Sequence, residues 1–176
     1  VAERRIVIYG ETVLREVSEA VDEINRQVKD LVSDLVDTLK KAKGLGLSAV
    51  QIGVLMRVFV LDLSAVDLTE SLRVFINPEI LETSGEVEME EGCLSFPGIY
   101  QKIARPAEVK VKATDLEGRE FVLETKGLVA RAVLHEYDHL EGKLYVDLMT
   151  PLTRTLLKGR LRKLARSSCA AAPPPA

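Results

Sequence analysis

Two histidines, four residues apart with a glutamate directly after the first, are the side chains in this sequence best spaced to do chemistry. They lie in Leu134-His135-Glu136-Tyr137-Asp138-His139-Leu140 and are the only histidines among 176 residues. On an α-helix four residues advance about 400°, so both imidazoles share one face, one turn apart. Glu136 sits about 100° from His135, near that face without pointing along it. H-E-x-x-H on a helix is the pattern in which two imidazoles hold a metal ion and the carboxylate handles the proton of a metal-bound water. The bland alternative is a histidine pair on a solvated helix, which leaves both the spacing and Glu136 to chance.

Catalytic sites of this kind use three protein ligands and keep one position open, so a third donor is needed. After His139 there is no further histidine, and the only acids are Glu141 and Asp147. Glu141 is too close along the helix to converge with both imidazoles. Upstream, Glu91-Gly92-Cys93-Leu94-Ser95-Phe96-Pro97-Gly98 carries the one soft donor. A free cysteine is most often a small buried hydrophobe, but Gly92 and Pro97-Gly98 make this stretch a loop rather than a core strand. Cys93 is the preferred third ligand. Asp147 is the alternative, and with His135 and His139 it would make a zincin-like metalloprotease. The rest of the acidic run at residues 86–91 reads as solvated and without a role.

A third stretch, Gly44-Leu45-Gly46-Leu47-Ser48-Ala49-Val50-Gln51-Ile52-Gly53, has the small residues that let a backbone pass close to something else. It has no lysine followed by serine or threonine after the glycines and no G-x-G-x-x-G, so it does not read as a phosphate cradle. Gln51 is a lone amide among apolar neighbours, and if buried it must be satisfied by a partner; a bound substrate is one candidate.

The elements that must position these residues are partly legible. Ile24, Val28, Leu31, Leu35 and Leu39 mark a helix from about Asn25, with Lys40, Lys41 and Lys43 in its last turn and Gly44 as its stop. Residues 1–20 read as an extended segment with a short helical turn. Strands are expected at 57–63 and 72–77, joined by a polar loop and ended by Pro78. A shorter pair, 79–84 and 87–89, is expected across Gly85. Two more strands, 108–114 and 120–124, flank a turn at 115–119. Residues 143–148 form a link, and Thr150-Pro151 opens a last helix striped by Leu152, Leu156, Leu157, Leu161 and Leu164. That helix, 150–168, carries six Arg or Lys and no acid. Its basic face is either an ordinary solvated surface or a contact for ribosomal RNA. The architecture expected is α+β, with short, mostly antiparallel strands packed around the central metal-binding helix. One domain over 1–169 is expected, followed by a disordered tail at 170–176.

Composition narrows the partners. Apolar residues make up 47% and charged residues 29%, with a formal charge of −3, which argues against a DNA-binding protein. No apolar run approaches the ~18 residues of a membrane span, and the first residues do not read as a signal peptide. Two cysteines, Cys93 and Cys169, make no disulfide framework. A cytoplasmic location is expected.

Together the three motifs resemble the peptide deformylases. Residues 44–51 are similar to that family's Gly-apolar-Gly-apolar-Ala-Ala-x-Gln, with Ser48 in place of the first alanine. Glu91-Gly92-Cys93-Leu94-Ser95 matches its second motif without change, and His135 to His139 its third. The resemblance implies removal of the formyl group from the N-terminal formyl-methionine of nascent polypeptides, releasing formate. It implies a divalent metal on Cys93, His135 and His139, ferrous iron foremost, with zinc, nickel or cobalt possible. It further implies Glu136 as general base then acid, and Gln51 with the backbone N–H of Leu94 as oxyanion donors. Backbone groups of Leu45 and Gly46 would pair with the peptide as an added strand. On the helix wheel, Leu128 and Ala132 fall where they could line a methionine pocket. Arg131 reads as a salt bridge at the helix edge.

Overall fold

The computed structural model describes residues 2–66 and 72–171. Seven strands and three α-helices are present among them: α1 (Arg26–Ala42), β1 (Gly46–Ser48), β2 (Val58–Asp62), β3 (Leu72–Ser84), β4 (Val87–Glu91), β5 (Gln101–Arg105), β6 (Glu108–Thr114), β7 (Glu120–Lys126), α2 (Gly127–Leu140) and α3 (Pro151–Ala171). Five strands form one antiparallel sheet in the order β1-β2-β3-β6-β7, and β4 pairs with β5 in a separate ribbon. The family-like α+β architecture expected from the sequence is therefore present.

Alternation along β2 decides what lies on each face of the sheet. Val58 and Val60 point to a core shared with Val28, Leu31, Leu35 and Leu39 of α1. Phe59 and Leu61 point the other way, against Ala130, Val133 and Leu134 of α2. The sheet thus separates the two helices, and α2 is enclosed nearly all round. A third cluster joins Phe96, Ile99, Ile103 and Tyr145 to Leu157 and Leu161 of α3. Of the five-leucine stripe expected on α3, Leu157 and Leu161 are buried, but Leu152 and Leu156 face solvent.

Four expectations need correction. Strand β3 does not stop at Pro78. It continues through a bulge where the register against β6 shifts between Ile76 and Glu79. Asn77 takes a left-handed φ of 50° there, and a bulge is a place where a proline's missing N–H breaks no ladder. Residues 79–84 pair with β6 and 87–91 with β5, not with each other. The helix stop is Lys43, at φ 55°, rather than Gly44; Gly44 is instead where a Cβ would come within 2.7 Å of the Leu94 side chain. Finally, α3 runs to Ala171, two residues into the expected tail. The rest of that tail, 172–176, and residues 67–71 of the polar loop lie outside the described residues.

Candidate metal centre

Three donor atoms meet where α2 faces the loop between β4 and β5. The Sγ of Cys93 lies 3.4 Å from His139 Nε2, and that nitrogen lies 3.2 Å from His135 Nε2. All three donors fall within 4.8 Å of one another. The edges of a tetrahedron built on ordinary zinc–nitrogen and zinc–sulfur bonds are about 3.3 and 3.6 Å, close to the separations found. Both imidazoles are buried. Burial disfavours protonation of either ring, yet the Cys93 and Glu91 charges outweigh it at His135, whose pKa is raised. Burial and the facing His135 lower that of His139. One sulfur and two buried ring nitrogens converging on a single point are donors that a divalent cation would satisfy at once, so the set fits a metal.

Each donor is held by elements that the sequence can form locally. The histidines are one turn apart on α2, whose end is closed by Gly142 at φ 70°. Cys93 begins a turn closed by the Phe96 N–H donating to its carbonyl at 2.9 Å. Phe96 stacks on Tyr9 and meets Tyr145 edge-on, and the Tyr145 hydroxyl donates to the Ile99 carbonyl at 2.7 Å. Loop and helix are tied together by a buried ion network that was not foreseen. Glu91 accepts both a 2.7 and a 2.8 Å hydrogen bond from Arg105, a 2.9 Å bond from Arg131, and contacts His135 Nδ1 at 2.6 Å. Arg105 also donates to Asp138, between the two histidines, at 2.8 Å. Burial alone would push the Glu91 carboxyl up; Arg105 and His135 hold it well below the usual range. Glu91 therefore leaves the solvated acidic run, and its bond fixes the tautomer that turns His135 Nε2 toward the other donors. Arg131 does form an ion pair, but a buried one rather than one at the helix edge. His139 Nδ1 has no partner among the described residues.

The remaining predicted residues converge on the same place. Glu136 is buried beside His135, and burial raises its pKa. Gln51 is buried, but its partners come from the protein: its carbonyl accepts from the Ser48 N–H at 2.9 Å, and its amide donates to Ser95 Oγ at 3.1 Å and toward Cys93 Sγ at 3.6 Å. A substrate is not needed to satisfy it. The Leu94 N–H donates to nothing among the described residues. Leu45, Gly46, Leu128 and Ala132 line a cleft of about 420 Å³ that opens onto Cys93 and His135. Asp147 does not reach the centre. It accepts from Arg15 at 2.6 and 3.0 Å and from the Leu144 N–H at 3.0 Å, which removes the zincin-like ligand set.

A cysteine and two buried histidines converge beside a buried carboxylate and a cleft lined in part by Gly46 of the edge strand β1, an arrangement that fits a metal-dependent hydrolase. Residues 3–155 match the family model for polypeptide deformylase. Peptide deformylase 1 of Clostridium perfringens is 49% identical over 144 residues, covering 82% of this chain and 96% of that one. Peptide deformylase 2 of Nitrosomonas europaea is 39% identical over 165 residues, 94% of this chain and 88% of the relative. The crystal structure of a peptide deformylase from Legionella pneumophila superposes with a TM-score of 0.87 at 39% identity, covering 98% of this chain and all of that one. The chain belongs to the peptide deformylase family, metal-dependent hydrolases that remove the formyl group from the N-terminus of new polypeptides.

Proposed function

We propose that Cys93, His135 and His139 hold the catalytic ion and that Glu136, Gln51 and Leu94 carry out the deformylation around it. The convergence of one sulfur and two ring nitrogens next to Glu136 carries this reading. When bound, a divalent cation would act as a Lewis acid and lower the pKa of a water toward neutrality. Glu136 takes the proton of the attacking water as its oxygen bonds to the formyl carbon. The carbonyl oxygen becomes an oxyanion, and the Leu94 N–H and Gln51 Nε2 donate to it. Glu136 then delivers the proton to the leaving amine, the C–N bond breaks, and formate departs. Gly46, on the edge strand β1, and Leu45 just before it offer the peptide those backbone groups not already paired with β2, and Leu128 with Ala132 forms an apolar wall for the methionine side chain.

Ferrous iron is the working metal of this reading, with zinc, nickel or cobalt able to occupy the same donors. A thiolate ligand beside iron is prone to oxidation in air, so aerobic preparations should have low activity; the part lost with the ion should return with ferrous iron or nickel, and the part lost to oxidised sulfur should not. The direct test is formate release from formyl-methionyl peptides by the wild type, Cys93→Ala and Glu136→Ala. Both variants should lose nearly all activity, Cys93→Ala together with its metal and Glu136→Ala with its metal retained. A Cys93→Ala protein that kept its ion and its rate would overturn the ligand set.

The six cations of α3 are all exposed; with residues 1–169 acting as one catalytic unit in the cytoplasm, this face suits ribosomal RNA. Reversing Arg162, Lys163 and Arg166 to glutamate should abolish salt-sensitive ribosome binding. Truncating α3 is the poorer test, because Leu157 and Leu161 are part of the core.

A further inference from the structure

We infer that Ser48 is a positioning residue for the general base, an inference that rests on the role given to Glu136 above. Where the resembling motif has alanine, this hydroxyl lies 2.6 Å from Glu136 Oε2 and 3.0 Å from the Glu136 carbonyl oxygen. One proton serves both contacts, and the shorter, to the side-chain carboxyl oxygen, takes it. Ser48 is completely buried, so no water competes for that bond.

The geometry around it is built by β1. Gly46 and Ser48 are two residues apart on the strand, opposite Leu61 and Phe59 of β2, and both face α2. At Gly46 a Cβ would sit 3.0 Å from Glu136 Oε1 and 3.0 Å from its Cγ. The carboxylate is thus confined on one side by bare backbone and gripped on the other by the Ser48 hydroxyl. Neither contact touches a proposed metal ligand. The backbone N–H of Ser48 meanwhile holds the Gln51 carbonyl at 2.9 Å. One residue therefore orients both the base and an oxyanion donor, the first through its side chain and the second through its main chain. Alanine would keep the second function and lose only the first, which makes the substitution a clean probe.

The experiment is steady-state formate release by metal-loaded Ser48→Ala and Ser48→Thr, with metal content and Tm measured on the same samples. Losing one bond to a charged group should lower kcat of Ser48→Ala about tenfold, with KM and bound metal unchanged. Ser48→Thr, which keeps the hydroxyl, should recover most of kcat. In a Glu136→Ala background, Ser48→Ala should cost no further rate, because the group it orients is gone. An unchanged kcat in Ser48→Ala would overturn the inference, as would a loss that tracks metal content, or one that persists in the Glu136→Ala background. If Glu136→Ala itself retained full rate, the role of the base would fall instead, which separates the two failures.

Discussion

Gln51 shows how a buried side chain can be satisfied and still be available. Its carbonyl is fixed by the Ser48 N–H, so its amide must face Ser95 and Cys93. The bond to Ser95 anchors one N–H, and the weak 3.6 Å contact to sulfur leaves the other ready to meet an oxyanion. Gln51→Ala should therefore lower kcat by about 10²–10³, with KM within a few-fold, the cost of one oxyanion donor. Steady-state kinetics on metal-loaded protein will show whether the loss falls on kcat. His135, Glu136 and His139 were legible because a helix converts sequence spacing directly into shared faces. Cys93 followed from elimination. Glu91, Arg105 and Ser48 were not legible, because each acts through a partner 14 to 88 residues away. A signal for Glu91 did exist: Val87, Met89 and Glu91 share one face of β4, so an acid stands in register with two apolar residues.

At the level of elements, α2 must stop immediately after its second histidine so that the chain can turn into the third core cluster. Gly142 makes that turn: its N–H donates to the His139 carbonyl at 3.2 Å, and that of Lys143 to Asp138 at 2.9 Å. A Cβ on Gly142 would lie 2.5 Å from the Arg15 carbonyl oxygen, on backbone that cannot rotate aside. Gly142→Ala combines this clash with an unfavourable positive φ and should destabilise the protein by at least ~1 kcal/mol. Chemical denaturation measures that loss, and the rate per folded, metal-loaded molecule should change little. The strands at 108–114 and 120–124 were readable from composition and their turn, the second running two residues further, to Lys126. The path of β3 past Pro78 was not, because a bulge depends on what the neighbouring strand does rather than on local propensity. The exposure of Leu152 and Leu156 was hidden likewise, since a leucine stripe does not reveal where its partner surface ends.

Across the whole molecule, the N-terminal segment straps the other layers together. The Val7 N–H donates to the main-chain carbonyl of Gln51 at 2.7 Å, and the Tyr9 N–H to that of Ser95 at 2.9 Å. Glu11 holds the strap in shape. Its bonds to Arg5 bring its pKa down, with help from the Ile8 N–H and against the effect of burial. A carboxylate lowered on folding stabilises fully above its unfolded pKa, about 4.3 for glutamate, and that stabilisation is lost as pH falls through the folded value. Glu11→Gln should therefore have a lower Tm than wild type at pH 7, and the gap should shrink as pH falls below about 4.3 and vanish below the folded-state value. Thermal melts across that range decide it; a gap independent of pH would assign the effect to packing.

Asn77 occupies the first of the two points where the long strand changes register against β6. Its amide accepts from the Val21 N–H at 2.8 Å and donates to the Val21 carbonyl at 2.8 Å, clamping the strand to the segment before α1. Deamidation there would swap the donor for a negative charge aimed at a carbonyl. The usual route to that damage is attack on the side-chain carbonyl by the next residue's backbone nitrogen, which must lose a hydrogen. Pro78 has none to lose. The same imino acid that marks the kink thus shields its neighbour from chemical ageing, and an old preparation should keep this amide while asparagines in other proteins of similar age turn acidic.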